Sequence, residues 1–375
     1  MCRVVAMPQT ARMSFPTRAA ALILCLLAAG CASAPSPSPS LTPAPTLEPV
    51  VATARPSPTP SPSPEPTMPD VLAADLDGLL VAPELAHRLP LAVSIDDSRA
   101  ARPQSGFNAT SIVWQAPADG YESRYLMVFQ EQDAVDIGPV RSARIYLAHW
   151  ASELDAALSH YGGDRLTRRW MEANRGDLFV DVDGMGAGNS AYHRISARKA
   201  PHNAYTSSAD LWRVAEKLDG GATIDPEVHV RPFRDDGPAA GRPASQVISV
   251  PYRTVKVGYA YDPLTNSYLR SLDGKAHIDP MDGQQVTART VVVLYMSFRT
   301  DNKIEPGHNR PVLGYIGTGK ATICMEGQAI QGTWSKASET APTLILGLDG
   351  TELPFVRGRI FMQVVPIGTK VTVTP

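Results

Sequence analysis

Leu91-Ala92-Val93-Ser94-Ile95-Asp96-Asp97 is a short apolar run that stops at two consecutive carboxylates. A run of this length and character reads as a buried strand, with the acids marking its exit. Ser111-Ile112-Val113-Trp114-Gln115 and Tyr125-Leu126-Met127-Val128-Phe129 read the same way. After Pro139, Ala143, Leu147, Ala151, Leu154 and Leu158 recur at helical spacing and predict a helix. Leu158-Ser159-His160-Tyr161 then runs into Gly162-Gly163, as a strand and its turn would. Ser207 with Asp210 three residues on is a capping-box start, followed by Leu211, Val214, Ala215 and Leu218 before Gly220-Gly221. Residues 80–226 are therefore expected to form an α/β domain.

Beyond Asp225 the pattern changes. Val255, Val257, Tyr259 and Tyr261 alternate with polar or small residues, the period of a half-buried strand. Asp273-Gly274, Asp282-Gly283 and Asp349-Gly350 punctuate Val-, Ile- and Thr-rich runs such as 290–296 and 360–365, which is hairpin chemistry. Residues 227–375 are expected to be a mainly β domain, and the whole an α+β protein.

Ahead of this body lie two different materials. Arg3, Arg12 and Arg18 precede the apolar run 19–27, and Ala28-Ala29-Gly30-Cys31 follows. A basic segment, a short apolar core and small residues make an export signal, too short to span a bilayer. Small residues before a cysteine also match a bacterial lipobox, so residues 1–30 are expected to be removed and Cys31 to carry lipid. Residues 31–75 are expected to be a lipid-anchored Pro/Ser/Thr-rich linker, with 13 of the chain's 34 prolines between Pro35 and Pro69. That composition buries little apolar area, favours extended polyproline conformations and reads as a disordered stalk. The expected location is the outer face of the cytoplasmic membrane.

Of four cysteines, Cys2 and Cys25 fall in the leader, leaving only Cys324 in the body, so no internal disulfide is expected. Removing residues 1–30 takes away three arginines and no acid, leaving 32 basic residues against 37 acidic, a formal charge of −5. This argues against nucleic acid as a partner and requires any anion site to be local.

Several signatures fail on inspection. Gly314 to Lys320 matches the start of a phosphate loop, but Ala321 stands where Ser or Thr would hold magnesium. Asp181-Val182-Asp183 resembles the start of a calcium loop, but Met185 and Tyr192 occupy ligand positions, so a plain turn is expected. The eight histidines show no zinc spacing, and no metal or cofactor is expected. Cys324 reads as core.

Polar residues gather at the ends of the first-domain elements. Asp96 and Asp97 are followed by Ala101-Arg102-Pro103-Gln104-Ser105-Gly106; Pro139-Val140-Arg141-Ser142-Ala143-Arg144 opens the best helix; His160, His193-Arg194 and Pro201-His202-Asn203 complete the set. If the strands are largely parallel, these segments share the edge where open α/β sheets bind ligands. Arginines in a first helical turn oppose the dipole, and an anion there would explain Arg141 and Arg144. The competing reading is internal pairing of those arginines with Asp96, Asp97 or Glu153.

These segments, with Ala200-Pro201-His202-Asn203 and Gly332-Thr333-Trp334-Ser335-Lys336, resemble those of the YerB-type bacterial lipoproteins, from about Leu91 to Pro366. The resemblance implies a lipobox, an α/β first domain and a β-rich second; family members commonly carry Asn where Asp97 stands. Three functions are set against one another. In the first, an envelope protein without chemistry of its own binds an anionic cell-wall component or partner protein through Arg102, Arg141, Arg144, Arg194, His202 and Asn203. Trp334 would add a second-domain contact unless it is core. In the second, a hydrolase or transferase uses Asp96 with His160 or His202 as acid and base. In the third, the charged segments only knit a scaffold together.

Overall fold

The run ending at Asp96 forms β1 (Leu91–Asp96), buried along its whole length, in a computed structural model that describes residues 70–219, 221 and 223–375. The leader, Cys31 and the tract up to Pro69 lie outside the described residues. Leu72–Ala73, inside the stretch expected as linker, pairs with Leu80–Val81. The next two apolar runs are β2 (Ile112–Pro117) and β3 (Ser123–Phe129). β3 lies between β2 and β1 and is antiparallel to both.

The first long helix, α1, covers only Ile145–Ser152. The apolar series expected to carry it to Leu158 crosses two elements. Leu154 lies in a turn where Asp155 has φ 49°, and Leu158 pairs with Ala92 in β4 (Ala157–His160). A helix followed by a buried strand satisfies the same spacing. Arg144 caps α1 in extended geometry, and the amide of Arg141 bonds the Ser94 carbonyl at 2.7 Å. Neither arginine stands in the first helical turn, so the dipole gives no reason for them.

Asp164 caps a further helix, α2 (Arg165–Asn174), by accepting from the Thr167 amide. Asp181-Val182-Asp183, expected as a turn, belongs to β5 (Val180–Asp183), where buried valines alternate with half-buried aspartates beside β4. The capping box starts α3 (Ser208–Asp219) as read: the Ser207 hydroxyl accepts from the Asp210 amide and donates to its carboxylate.

The C-terminal half is mainly β. β6 (Val247–Pro251), β7 (Lys256–Asp262) and β8 (Ser267–Leu272) form an antiparallel meander. Then come β9 (Thr290–Glu305), β10 (His308–Gly314), β11 (Gly317–Met325), β12 (Gln328–Lys336), β13 (Leu344–Gly347), β14 (Ile360–Pro366) and β15 (Thr372–Thr374). β14 inserts between β9 and β2, parallel to both, so one eleven-stranded sheet runs in the order β13-β12-β11-β9-β14-β2-β3-β1-β4-β5, with β10 beside the distal part of β9.

Both faces of that sheet are covered. α1 and α2 close one face, where Trp150 stacks on Trp114 with ring centroids 4.2 Å apart. On the other face Leu91, Val93, Val291 and Val293 meet α3 and the second sheet, which β15 extends beside β6. Double coverage explains why β1 lacks polar alternation. β9, β14, β2, β1, β4 and β5 all point one way, and their carboxyl ends share an edge. Trp334 is buried, donating to the Tyr295 carbonyl, and Cys324 is buried with its thiol pushed up to about 12 by desolvation. Gly314–Lys320 spans the turn between β10 and β11.

Candidate functional site

At the carboxyl edge, β1 delivers Asp96, and the loop after β2 delivers Asp119. Arg124 is the second residue of β3, and the segment before α1 carries Arg141 and Arg144. Together with Arg310 from β10 they line a polar cleft of about 300 Å³, which Glu122 and Asp164 complete. Four guanidinium groups thus face four carboxylates, and how they are shared decides what the cleft can hold.

Asp96 is nearly inaccessible. Its Oδ1 accepts from the Ser98 amide at 3.0 Å; its Oδ2 accepts from Arg141 Nε at 3.1 Å and His202 Nδ1 at 2.7 Å. Burial opposes its ionisation, but the Ser98 amide, Arg124, His202 and Arg141 together outweigh burial and hold the carboxyl below the usual range. Asp119 is gripped twice, by Arg144 through Nε at 2.7 Å and a second short contact, and by Arg310 Nη1 at 2.9 Å. Burial is again overcome, by Arg144, the more distant Arg124 and Arg310, and its carboxyl sits low. Arg310 also forks onto Glu305.

Arg124 is different. It is 6% exposed, donates Nη1 to the Ser142 carbonyl at 2.6 Å, and forms no ion pair among the described residues. Its Nε is buried without a partner. Burial, then the adjacent Arg144 cation, push its pKa down to about 9, against the longer-range pull of Asp119 and Asp96.

The other expected site residues divide. Arg102 turns inward, Nε donating to Asp97 Oδ1 at 3.0 Å and Nη2 to the Asp97 carbonyl at 2.9 Å, away from the cleft. Asp97 is fully buried and also accepts from Gln104, Gln115 and the Ser123 hydroxyl. Arg194 is exposed on a two-residue strand paired with Ala204–Tyr205, its guanidinium 4.8 Å from the Tyr161 ring and 2.6 Å from Asn203 Oδ1. Asn203 closes its own loop through the Ile195 carbonyl. His160 is buried, its Nδ1 2.9 Å from the Gly162 carbonyl and its Nε2 2.8 Å from Asp181, so it does not join Asp96.

His202 does join Asp96, and the pair has the form of a base and its orienting acid. The hydroxyl beside it among the described residues, Ser98 Oγ, lies 3.3 Å from Nδ1, the nitrogen the carboxylate already occupies. Nucleophilic catalysis needs the hydroxyl on the opposite nitrogen, and that arrangement is not assembled here. Among the described residues no cluster of three or more His, Cys, Asp or Glu side chains is placed for a metal ion.

Sequence reasoning missed Arg124, Asp119 and Arg310. Arg124 had a signal, a lone cation directly ahead of a wholly apolar run; Arg310 had none, since only the C-terminal hairpin's return to the edge brings it there.

Fold and cleft define a two-part protein, an α/β half and a β-rich half sharing one sheet, with a charged cleft at the carboxyl ends of its parallel strands. The chain belongs to the DUF3048 family: residues 76–221 match the profile described as "Protein of unknown function (DUF3048) N-terminal domain" and residues 248–362 its C-terminal counterpart. It is 29% identical to "Putative lipoprotein YerB" of Bacillus subtilis (strain 168), over 79% of this chain and 86% of that protein. The crystal structure of the YerB protein from Bacillus subtilis aligns with a TM-score of 0.71 at 28% identity, covering 81% of this chain and all of that one. No helix among the described residues is long and apolar enough to cross a membrane.

Proposed function

We propose that this protein is a lipid-anchored envelope receptor whose cleft binds an anionic group of a cell-wall component. The observation that carries the reading is Arg124, a buried guanidinium lining the cleft that forms no ion pair among the described residues. Asp96 is engaged by Arg141 and His202, and Asp119 by Arg144 and Arg310, so the two acids closest in effect are already committed. A ligand carboxylate or phosphate entering the cleft would supply the missing counter-ion where low dielectric makes it count. Arg102, Arg194 and Asn203 are outside this binding set; His202 supports it through Asp96. Likeness to a protein described as a lipoprotein supports lipidation of Cys31 and a location outside the cytoplasmic membrane.

The test uses purified full-length protein in detergent and isolated cell-wall sacculi. Retention should fall on Arg124→Gln with the melting temperature preserved. Equal retention by the variant would reject the cleft as the binding site. Cys31→Ser should release the protein from membranes.

The pairing of Asp96 with His202 favours one second reading, general acid–base chemistry through His202 Nε2. Turnover of wall fragments that persists in Arg124→Gln but vanishes in His202→Gln would support it over simple binding.

A further inference from the structure

The loop that carries Asp119 into the arginine cleft carries Tyr121 into a different space two residues later. Tyr121, Tyr252 and Phe298, with Pro117, Pro251 and Pro366, line an apolar pocket of about 490 Å³ at the same edge of the sheet. The loop is pinched, the Ala118 amide bonding the Glu122 carbonyl at 2.7 Å, with Pro117 and Tyr121 lining the pocket and Asp119 and Glu122 lining the cleft. The pocket and the cleft therefore flank one loop.

Two observations mark the pocket as more than a surface dimple. Tyr121 holds φ at 67°, directly after Gly120 at 64°, and such left-handed geometry at a bulky residue persists at sites where a side chain must be presented. Tyr121 is 49% exposed, and the Arg253 guanidinium covers one face of its ring, 3.5 Å from the centroid. Among the described residues Arg253 has no acid and no hydrogen-bond acceptor. The half-exposed Tyr121 ring thus carries on one face a cation with unused N–H donors, next to a cleft that lacks an anion.

We infer that this aromatic pocket is a ring subsite adjoining the arginine cleft, so that the ligand is an acidic sugar whose pyranose face stacks on Tyr121 while its carboxylate meets Arg124. The inference rests on the anion-binding reading and names its ligand class. Aromatic faces flanked by unused donors suit rings that are apolar on their faces and hydroxylated at their edges. Prolines and aromatics also suit an extended proline-rich peptide, but such a peptide brings no anion to the neighbouring cleft.

The experiment is calorimetric titration of the full-length protein with N-acetylmuramic acid, N-acetylglucosamine, lactate and a decaproline peptide. The first probe is the second bearing the third as an ether. It should bind about tenfold more tightly than lactate, and Tyr121→Ala should reduce it to the lactate level without changing lactate binding, whereas Tyr121→Phe retains it. Arg124→Gln should weaken both acids. Equal affinities for N-acetylmuramic acid and lactate, or no effect of Tyr121→Ala, overturn the ring subsite and leave the anion cleft standing. Binding of N-acetylglucosamine as tight as the acid sugar, indifferent to Arg124→Gln, overturns the shared site and the anion reading together. Decaproline binding in place of the sugars overturns the inference.

Discussion

His202 Nδ1 lies 2.7 Å from Asp96 Oδ2, tying the loop around residues 195–203 to the end of β1, 106 residues away in sequence. Arg141 Nε reaches the same oxygen at 3.1 Å. Asp96 is therefore the point at which three segments of the cleft meet, and its ionisation holds them together.

The consequence is a pH dependence of known sign. A carboxyl with a lowered folded pKa stabilises the protein above its unfolded value, and that stabilisation drains away as pH falls through the folded value. For Asp96 the ordinary value is 3.8, so the loss comes below about pH 4. Asp96→Asn cannot ionise. Its melting temperature should lie well below that of the parent near pH 7, and the gap should narrow under acid. A gap that stays constant from neutral to strongly acidic pH would show that Asp96 acts by packing alone.

Arg102 and Asp97 form a pair of another kind, the carboxylate fully buried and the guanidinium half-buried, away from the cleft. Removing one member of a buried pair leaves an uncompensated charge and costs about 3–5 kcal/mol. Because Arg102 keeps partial contact with solvent and Asp97 retains Gln104, Gln115 and Ser123, Arg102→Ala should lower stability by less than that range, measured by chemical denaturation, while anion binding by the folded fraction is unchanged. Loss of binding without loss of stability would return Arg102 to the site.

Arg124 should behave in the opposite way. It is buried beside Arg144 without a counter-ion, so a neutral replacement relieves repulsion and desolvation. Arg124→Gln should be neutral or stabilising by about 1 kcal/mol, although it abolishes anion binding, as when a functional group is kept at a cost to the fold. Denaturant midpoints with and without lactate check this. A strongly destabilised variant would mean Arg124 has a structural partner instead.

Much of the framework was legible from the chain because burial leaves a local signature. The runs at Leu91, Ile112 and Tyr125 are strands, and Ser207 with Asp210 starts a helix, since each depends on neighbours in sequence. The boundary of α1 was not legible: Leu158 fits both a helix and a strand, and only its pairing with Ala92 decides. The same limit separated the arginines. Arg102 and Arg141 sit in similar loops beside acids, and which one turns inward is set by Gln104, Gln115 and Ser123 closing around Asp97. Arg310 reaches Asp119 across 191 residues, a contact no local pattern announces.

The segment Gly332-Thr333-Trp334-Ser335-Lys336, prominent in the sequence, proves to be a fastener between the halves. Lys336 is inaccessible, and its ammonium bonds Glu153 at the end of α1 at 2.6 Å. Thr343 donates to the same carboxylate at 2.8 Å. Burial raises the Glu153 pKa, and Lys336, the Thr343 hydroxyl and Arg231 only partly offset it, so this ion pair adds less than its geometry implies. Lys336→Met alone should strand Glu153 and cost about 3–5 kcal/mol, whereas Lys336→Met with Glu153→Leu should recover most of it, because apolar groups of similar volume carry no desolvation penalty. A denaturation cycle over the four proteins measures the coupling. Simple additivity of the two losses would mean that the carboxylate and the ammonium are each held by the backbone around them, and that the halves are joined by the shared sheet alone.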